Sequence, residues 1–489
     1  MKPYQLLPFR FKRFDNNKVF VVNETGEFLF LSPEQFNRMI SYDLNTRSPI
    51  FLDLKSKHIL TDTSVGSVIK MLATKYRTKK NFLYNFTSLH MVVPTLRCNS
   101  SCRYCQVSSK SANAKEYDMN KATAKKTVDM IFRSPSPLIK VEFQGGEPLL
   151  NFKIVKHIIE YAEKLNSLYK KHLEFVICTN LTLITDKMLK YFKNHNVYIS
   201  TSLDGPKALH DKNRPLQKRE SSYDIFLKNM RKVRQHLGPG SISALMTTTK
   251  DSLEQLPAII DEYVKLGFHS IFLRALNPYG LAKKDLTALG YSTEDFVEKY
   301  KLALNYIMDL NLKGIHFAES YAELLLTRIL TPFSTGFVDL QSPAGIAICG
   351  AIYDYNGNVY ASDEGRMLGA MGDDTFLLGN VNHNTYKEIF YGDKIRSLIK
   401  NSCLECLPVC SHCAFQSYCG ADPVRNYVEQ GDIVGNRMVS EMCKKNMGII
   451  QHLLELIEKN DKDINSVFWS WITKRPLNRT RGKQENISF

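Results

Sequence analysis

A parallel α/β architecture is what the chain predicts for residues 89 to about 310. Two observations predict it: short β-branched runs recur along the stretch, and the segments between them carry apolar residues at helical spacing. A third observation gives the architecture a purpose, because the residues suited to metal and cofactor chemistry fall just after those runs.

Taken in order, residues 1–85 read as a strand–turn–strand–helix segment with a possible role in peptide recognition. KVFVVNETGEFLFLS gives two strands joined by Asn-Glu-Thr-Gly, a turn-forming composition. Ser32 and Gln35 are spaced as a capping box, and Pro33 stands at the first helical position, where its missing N–H costs nothing. Residues 86–334 form the core, with strands expected at 89–97, 139–144, 173–180, 197–205, 241–249 and 270–276. Between the second and third, Ile154, Ile158, Tyr161 and Leu165 recur at three- and four-residue steps and present one apolar face to a sheet. A helix from about Thr293 closes the set. Periodicity leaves two arrangements open, an open doubly wound sheet and a partial barrel. Residues 335–460 are richer in Gly, Asp, Asn and Cys, a loop-rich composition that metal clusters would stabilise. Residues 461–489 are expected to be a basic, flexible tail after the helix MGIIQHLLELIEKN.

Composition is that of an ordinary globular protein, with 489 residues, 44% hydrophobic and 23% charged. The net charge of +16 favours acidic partners but does not choose among nucleic acid, membrane and peptide. No run approaches the roughly 20 apolar residues of a membrane-spanning helix, and MKPYQLLPFRFKRF lacks the unbroken apolar core of a signal peptide, so a cytoplasmic protein is expected. In that compartment clustered thiols point to metal or catalysis before disulfides. Of the 11 cysteines, three lie within 98–105 and five within 403–419.

VPTLRCNSSCRYCQVSS places Cys98, Cys102 and Cys105 directly after the first strand. Three thiolates on a tight loop suit three irons of a cubane cluster, whereas a structural zinc wants a fourth ligand nearby. A zinc knuckle and buried thiols are the alternatives at this point. The segment resembles the radical SAM superfamily, whose CxxxCxφC pattern is matched by Cys98, Cys102, Tyr104 and Cys105, with Tyr104 at the position that faces the adenine. Gln144-Gly145-Gly146-Glu147-Pro148 matches the superfamily's GGEP element. Paired glycines allow close backbone approach, and the carboxylate beside them suits a cationic amino group. The same resemblance implies that Asn180, Ser202 and Asp204 line the cofactor's ribose and methionine, and that Arg274 reaches its carboxylate. It also implies a 4Fe-4S cluster, S-adenosylmethionine and a partial (β/α)6 barrel with its site at the strands' carboxyl ends. No GxGxxG fingerprint argues for the open sheet.

Cys410-x2-Cys413-x5-Cys419 followed by Cys443 resembles the SPASM domain, in which these four positions ligate an auxiliary 4Fe-4S cluster; a single zinc is the alternative. The pattern of a second auxiliary site is broken. Cys349 is in place, but Ser362 stands where a cysteine follows Gly357, and the stretch after Cys419 offers Asp422; Cys403 and Cys406 are possible substitutes.

The stretches LLPFRFKRF, VFVVNETGEFLFLSPEQF, SDEGRMLGAMGDD and SHCAFQSYCGADPVRNYVEQG together resemble the His-Xaa-Ser system radical SAM maturases of bacteria. That resemblance implies an oxidoreductase acting on a ribosomally made precursor peptide, with a companion radical SAM maturase and an external electron donor as partners. The competing readings are sulfatase-maturase-like oxidation of a Cys or Ser, RNA modification, and a non-catalytic iron–sulfur module. Nucleic acid is disfavoured because the basic residues are dispersed over helices and no RNA-binding domain is recognisable.

Overall fold

The computed structural model describes residues 2–15, 17–217 and 220–477. Strand-forming residues assemble two main sheets of different construction, of three and eight strands, beside three two-stranded pairs. The smaller is antiparallel, with β1 (Phe9–Phe14), β2 (Lys18–Asn23) and β3 (Phe28–Leu31) in that order. β1 goes unread in the sequence, where basic residues interrupt its aromatic ones. Asn23 sets the turn between β2 and β3, its Oδ1 accepting from the amides of Thr25 and Glu27. Ser32 and Gln35 close a capping box at the head of the Pro33–Ile40 helix. One face of this sheet packs Val19, Val21 and Leu31 against Phe36, Phe51 and Leu54. Its other face joins the main core, with Phe14 and Phe20 at 6.4 and 6.0 Å from Phe415.

The larger sheet begins with β4 (Leu89–Thr95), β5 (Leu138–Gly145), β6 (His172–Cys178), β7 (Val197–Ser202) and β8 (Ile242–Leu245). Neighbours in sequence are neighbours in space and all are parallel. The Phe152–Tyr169 helix crosses between β5 and β6 and buries Ile154, Val155, Ile158, Ile159 and Ala162, leaving the expected Tyr161 and Leu165 at the margin of its face.

The sixth expected strand, 270–276, shrinks to β9 (Ser270–Ile271), which pairs with β10 (Ala318–Glu319). The buried Glu319 carboxylate is the reason: it takes the Leu273 amide at 3.0 Å, and the chain then turns, with Arg274 N donating to Phe272 O. One bond, Thr248 N to Arg274 O at 2.9 Å, keeps this segment beside the end of β8. β4–β9 form the partial (β/α)6 barrel, and the chain's later part extends it. β11 (Gly350–Tyr353) lies parallel to β4, followed by antiparallel β12 (Asn358–Tyr360) and β13 (Leu377–Asn380).

The tail expected over 461–489 is corrected for its first part. Lys462–Thr473 is a helix that buries Val467, Phe468 and Trp471, because these apolar residues share one face and the Trp471 indole reaches Asn311 Oδ1 at 3.4 Å. Residues 478–489 of that expectation lie outside the described residues. No described helix is long and apolar enough to cross a membrane.

Candidate functional site

β4 delivers the Cys98–Cys105 loop to the carboxyl end of the sheet, and Arg97 anchors it. The Arg97 guanidinium donates to both Asp118 carboxylate oxygens at 2.8 Å and to the carbonyls of Ala112 and Leu150. The glycines of the second motif serve close approach: a Cβ on Gly146 would lie 2.2 Å from Arg97 O, and Gly145, at φ +125°, would meet Thr95 O at 2.3 Å. Only glycine lets the end of β5 abut the stem of the cysteine loop.

Cys98, Cys102 and Cys105 line one cavity of about 310 Å³ together with Tyr104, Gly145, Gly146, Asn180, Ser202 and Arg274. All three thiols are free. Burial pushes the Cys98 thiol up to about 12 and the Cys102 thiol up to about 11. Among the described residues no three His, Cys, Asp or Glu side chains are arranged around a single metal ion. Three soft donors lining one cavity together with polar side chains fit a cubane cluster and an amino-acid-bearing cofactor beside it.

Two expected cofactor contacts do not line this cavity. The Glu147 carboxylate accepts from Thr179 Oγ1 at 2.8 Å, Asn180 N at 2.9 Å and Leu149 N at 3.1 Å, so it ties the end of β6 to the second motif. Burial nevertheless holds its carboxyl up at about 7. Asp204, fully buried, accepts from the Tyr104 hydroxyl at 2.5 Å and from Arg214 Nε at 3.1 Å. Both carboxylates position lining groups. Sequence reasoning missed Arg214, Thr247, Asp363 and Met367, which all reach the cavity; Arg214 and Thr247 sit in no motif, while Asp363 and Met367 share the Asp363–Gly369 helix, inside a stretch read only for its family resemblance.

Cys410, Cys413, Cys419 and Cys443 line a second cavity of about 360 Å³. Arg437 Nε donates to Cys410 Sγ at 3.2 Å and Asn446 Nδ2 to Cys419 Sγ at 3.4 Å, the outer hydrogen bonds that stabilise thiolates. Phe11 and Lys12 of β1 complete its wall, so the N-terminal sheet closes over it.

The broken second auxiliary pattern converges on a third cavity, of about 280 Å³, lined by Ser362, Asp422 and Gly350, the neighbour of Cys349. Its groups are otherwise engaged. Ser362 Oγ caps the Asp363–Gly369 helix, and Asp422 Oδ1 accepts from Arg425 N at 2.9 Å. Cys349 is a buried thiol that burial pushes up to about 12. Cys403 and Cys406 line none of these cavities; Cys403 donates to Glu405, whose carboxylate also holds Lys80 and Tyr76 at 2.6 Å. This third cavity shares Gln144, Leu245, Arg274 and Asp363 with the first, so the two are adjacent.

Residues 92–263 match the family model described as "Radical SAM superfamily". The chain is 30% identical over 209 residues to an uncharacterized protein of Methanocaldococcus jannaschii, covering 42% of this chain and 68% of that protein. It is 24% identical over 356 residues to a cysteine-type anaerobic sulfatase-maturating enzyme of Clostridium novyi, covering 69% of this chain and 88% of that enzyme. In fold it resembles native anSMEcpe with bound AdoMet, at TM-score 0.62 and 17% identity over 76% of this chain and 100% of that one. Streptococcus suis SuiB bound to its precursor peptide SuiA aligns at TM-score 0.50 and 15% identity, over 90% of this chain and 99% of that one.

Proposed function

The chain belongs to the radical SAM superfamily, and on that premise we propose that this enzyme is a maturase that modifies a ribosomally made precursor peptide of the His-Xaa-Ser type. The superfamily's cofactors are a 4Fe-4S cluster and S-adenosylmethionine; when reduced, they supply a radical that takes a hydrogen atom from an unactivated carbon. Cys98, Cys102 and Cys105 hold the cluster, a role supported by the one cavity they line. Tyr104 faces the adenine, its ring fixed by the hydroxyl bond to Asp204. Asn180, Ser202 and Arg274 hold the ribose and methionine ends, and Gly145 and Gly146 let the backbone close in. Cys410, Cys413, Cys419 and Cys443 hold the auxiliary cluster.

The observation that carries the substrate reading is the third cavity. It lies next to the cofactor cavity, with which it shares Gln144, Leu245, Arg274 and Asp363, and has room for a peptide side chain. Asp363 lines both spaces, and burial lifts its carboxyl to about 6, which suits it to accept a proton from substrate near neutrality. β3 is an edge strand that pairs on one side with β2, and its other side is where a peptide strand would add. A companion maturase and an external electron donor complete the system.

A second reading, oxidation of a Cys or Ser in a sulfatase, draws on the similarity to the Clostridium novyi enzyme across most of its length. Anaerobic incubation with a His-Xaa-Ser precursor and, separately, with a sulfatase peptide separates the two. Mass spectrometry is expected to find 5′-deoxyadenosine and a mass change in the first peptide; modification of the sulfatase peptide alone would favour the second reading.

A further inference from the structure

A fourth cavity, of about 480 Å³, lies outside the third and shares Ala275, Phe296, Arg425 and Lys445 with it. The three adjacent cavities lie in a row from the flank of the Thr293–Leu312 helix to Cys98, the direction from which a side chain would enter. The charges along the outer two run against the chain's net charge of +16. Asp339, Asp363, Glu364, Asp422, Glu429 and Glu441 line them, against Arg274, Arg425 and Lys445.

Most of these groups are paired within the wall. Arg425 holds Glu429 at 2.6 Å, Arg274 holds Glu364 at 3.7 Å, Arg366 holds Asp363 at 3.6 Å, and Glu441 meets Lys444 at 2.9 Å. Asp339 and Asp422 are then left to share Lys445, one cation for two carboxylates. Asp339 makes no hydrogen bond or ion pair with any described residue and stands open to the cavity. Beside this group the Tyr279 hydroxyl, in a residue 1% exposed, has no hydrogen-bond partner among the described residues, and the charges of Asp422 and Glu364 act on it.

Building on the peptide-maturase reading, we propose that this channel selects a peptide segment bearing a cationic side chain, Lys, Arg or protonated His, and seats that cation against Asp339 and Asp422. The cation supplies the positive charge the wall lacks, and a charge-assisted contact with a carboxylate is the stronger kind of hydrogen bond. Asp339 is the specificity-determining residue, because its carboxylate alone is uncommitted.

The test titrates the full-length reconstituted protein with fluorescein-labelled Gly-Ser-Gly-Lys-Gly-Ser-Gly and its Gln and Glu counterparts, followed by anisotropy. The Lys peptide is expected to bind about tenfold more tightly than the Gln peptide, the scale of one charge-assisted contact, and the Glu peptide most weakly. Asp339→Asn is expected to erase the preference and Asp339→Glu to keep it. Equal binding of the three peptides to the wild type, or a Lys preference that survives Asp339→Asn, overturns the proposal. The wild-type comparison stands even if Asp339→Asn fails to fold. A wild type that yields 5′-deoxyadenosine yet shows no cation preference overturns this inference alone, whereas one that yields none overturns the function it builds on.

Discussion

The Tyr104 hydroxyl donates to the Asp204 carboxylate at 2.5 Å, joining the cysteine loop to the turn after β7 across 100 positions of chain. Arg214 takes the other oxygen of Asp204 and lies 5.2 Å over the Tyr104 ring. Asp204→Ala leaves the Arg214 charge without its partner in a mostly buried place, and is expected to cost about 3–5 kcal/mol. Tyr104→Phe removes a single hydrogen bond and costs about 1 kcal/mol. Urea denaturation of the two variants checks the order; equal losses would show that Arg214 does not depend on Asp204.

Replacing Cys98, Cys102 or Cys105 singly with Ala is expected to abolish 5′-deoxyadenosine formation after anaerobic reconstitution under strong reductant. No spare thiol lines the loop's wall of the cavity, and the remaining cysteine there, Cys178, sits at the end of β6 and donates to Glu142. Undiminished product from any one variant contradicts the assignment.

Metal content reads the cysteine-rich region. One complete auxiliary set beside the first cluster gives about eight irons per chain, and a third cluster would give about twelve. The lower figure is expected, because Ser362 and Asp422 are engaged as helix caps and Cys403 is turned to Glu405. Iron and sulfide analysis of Cys349→Ala should match the wild type; a loss of about four irons, one cubane, would locate a cluster at Cys349.

Asp422 makes stability depend on pH. Burial and the nearby Glu364 hold its folded carboxyl up at about 7, far above the ordinary Asp value. The folded state therefore binds this proton more readily than the unfolded chain, and stability falls as pH rises from about 4 to about 7. Glu364, Asp339, Arg425 and Tyr279 face it and titrate or screen with it. Asp422→Asn should flatten this part of the curve, measured as denaturation midpoints at about pH 5 and about pH 8. An unchanged slope would assign the dependence to other groups.

Peptide engagement by the N-terminal sheet is read by hydrogen exchange. If the precursor adds a strand, the amides of residues 28–31 should slow when it is added, since an unpaired edge gains hydrogen-bond partners. Deleting residues 1–85 would be a poor substitute for this measurement, because it strips Phe14 and Phe20 from Phe415 and opens the wall at Lys12.

The parallel order of β4–β8, the capping box at Ser32 and the gathering of Cys98, Cys102 and Cys105 in one cavity were legible in the sequence, since each depends on residues close together in the chain. Local spacing also brought Cys410, Cys413 and Cys419 together, with Cys443 joining them from the Glu441–Glu458 helix. Pairing over long separations was decided only by the tertiary structure. Glu147 and Asp204 carry the right chemistry to touch a cofactor, and the bonds they accept from Thr179, Asn180, Tyr104 and Arg214 come from distant parts of the chain. The same holds for β9, cut short by Glu319 some 46 residues away, and for the Lys462–Thr473 helix, whose Trp471 finds Asn311. A motif states which groups a short segment offers. Which of them remain free for a ligand depends on buried polar atoms finding partners, and those partners come from anywhere in the chain.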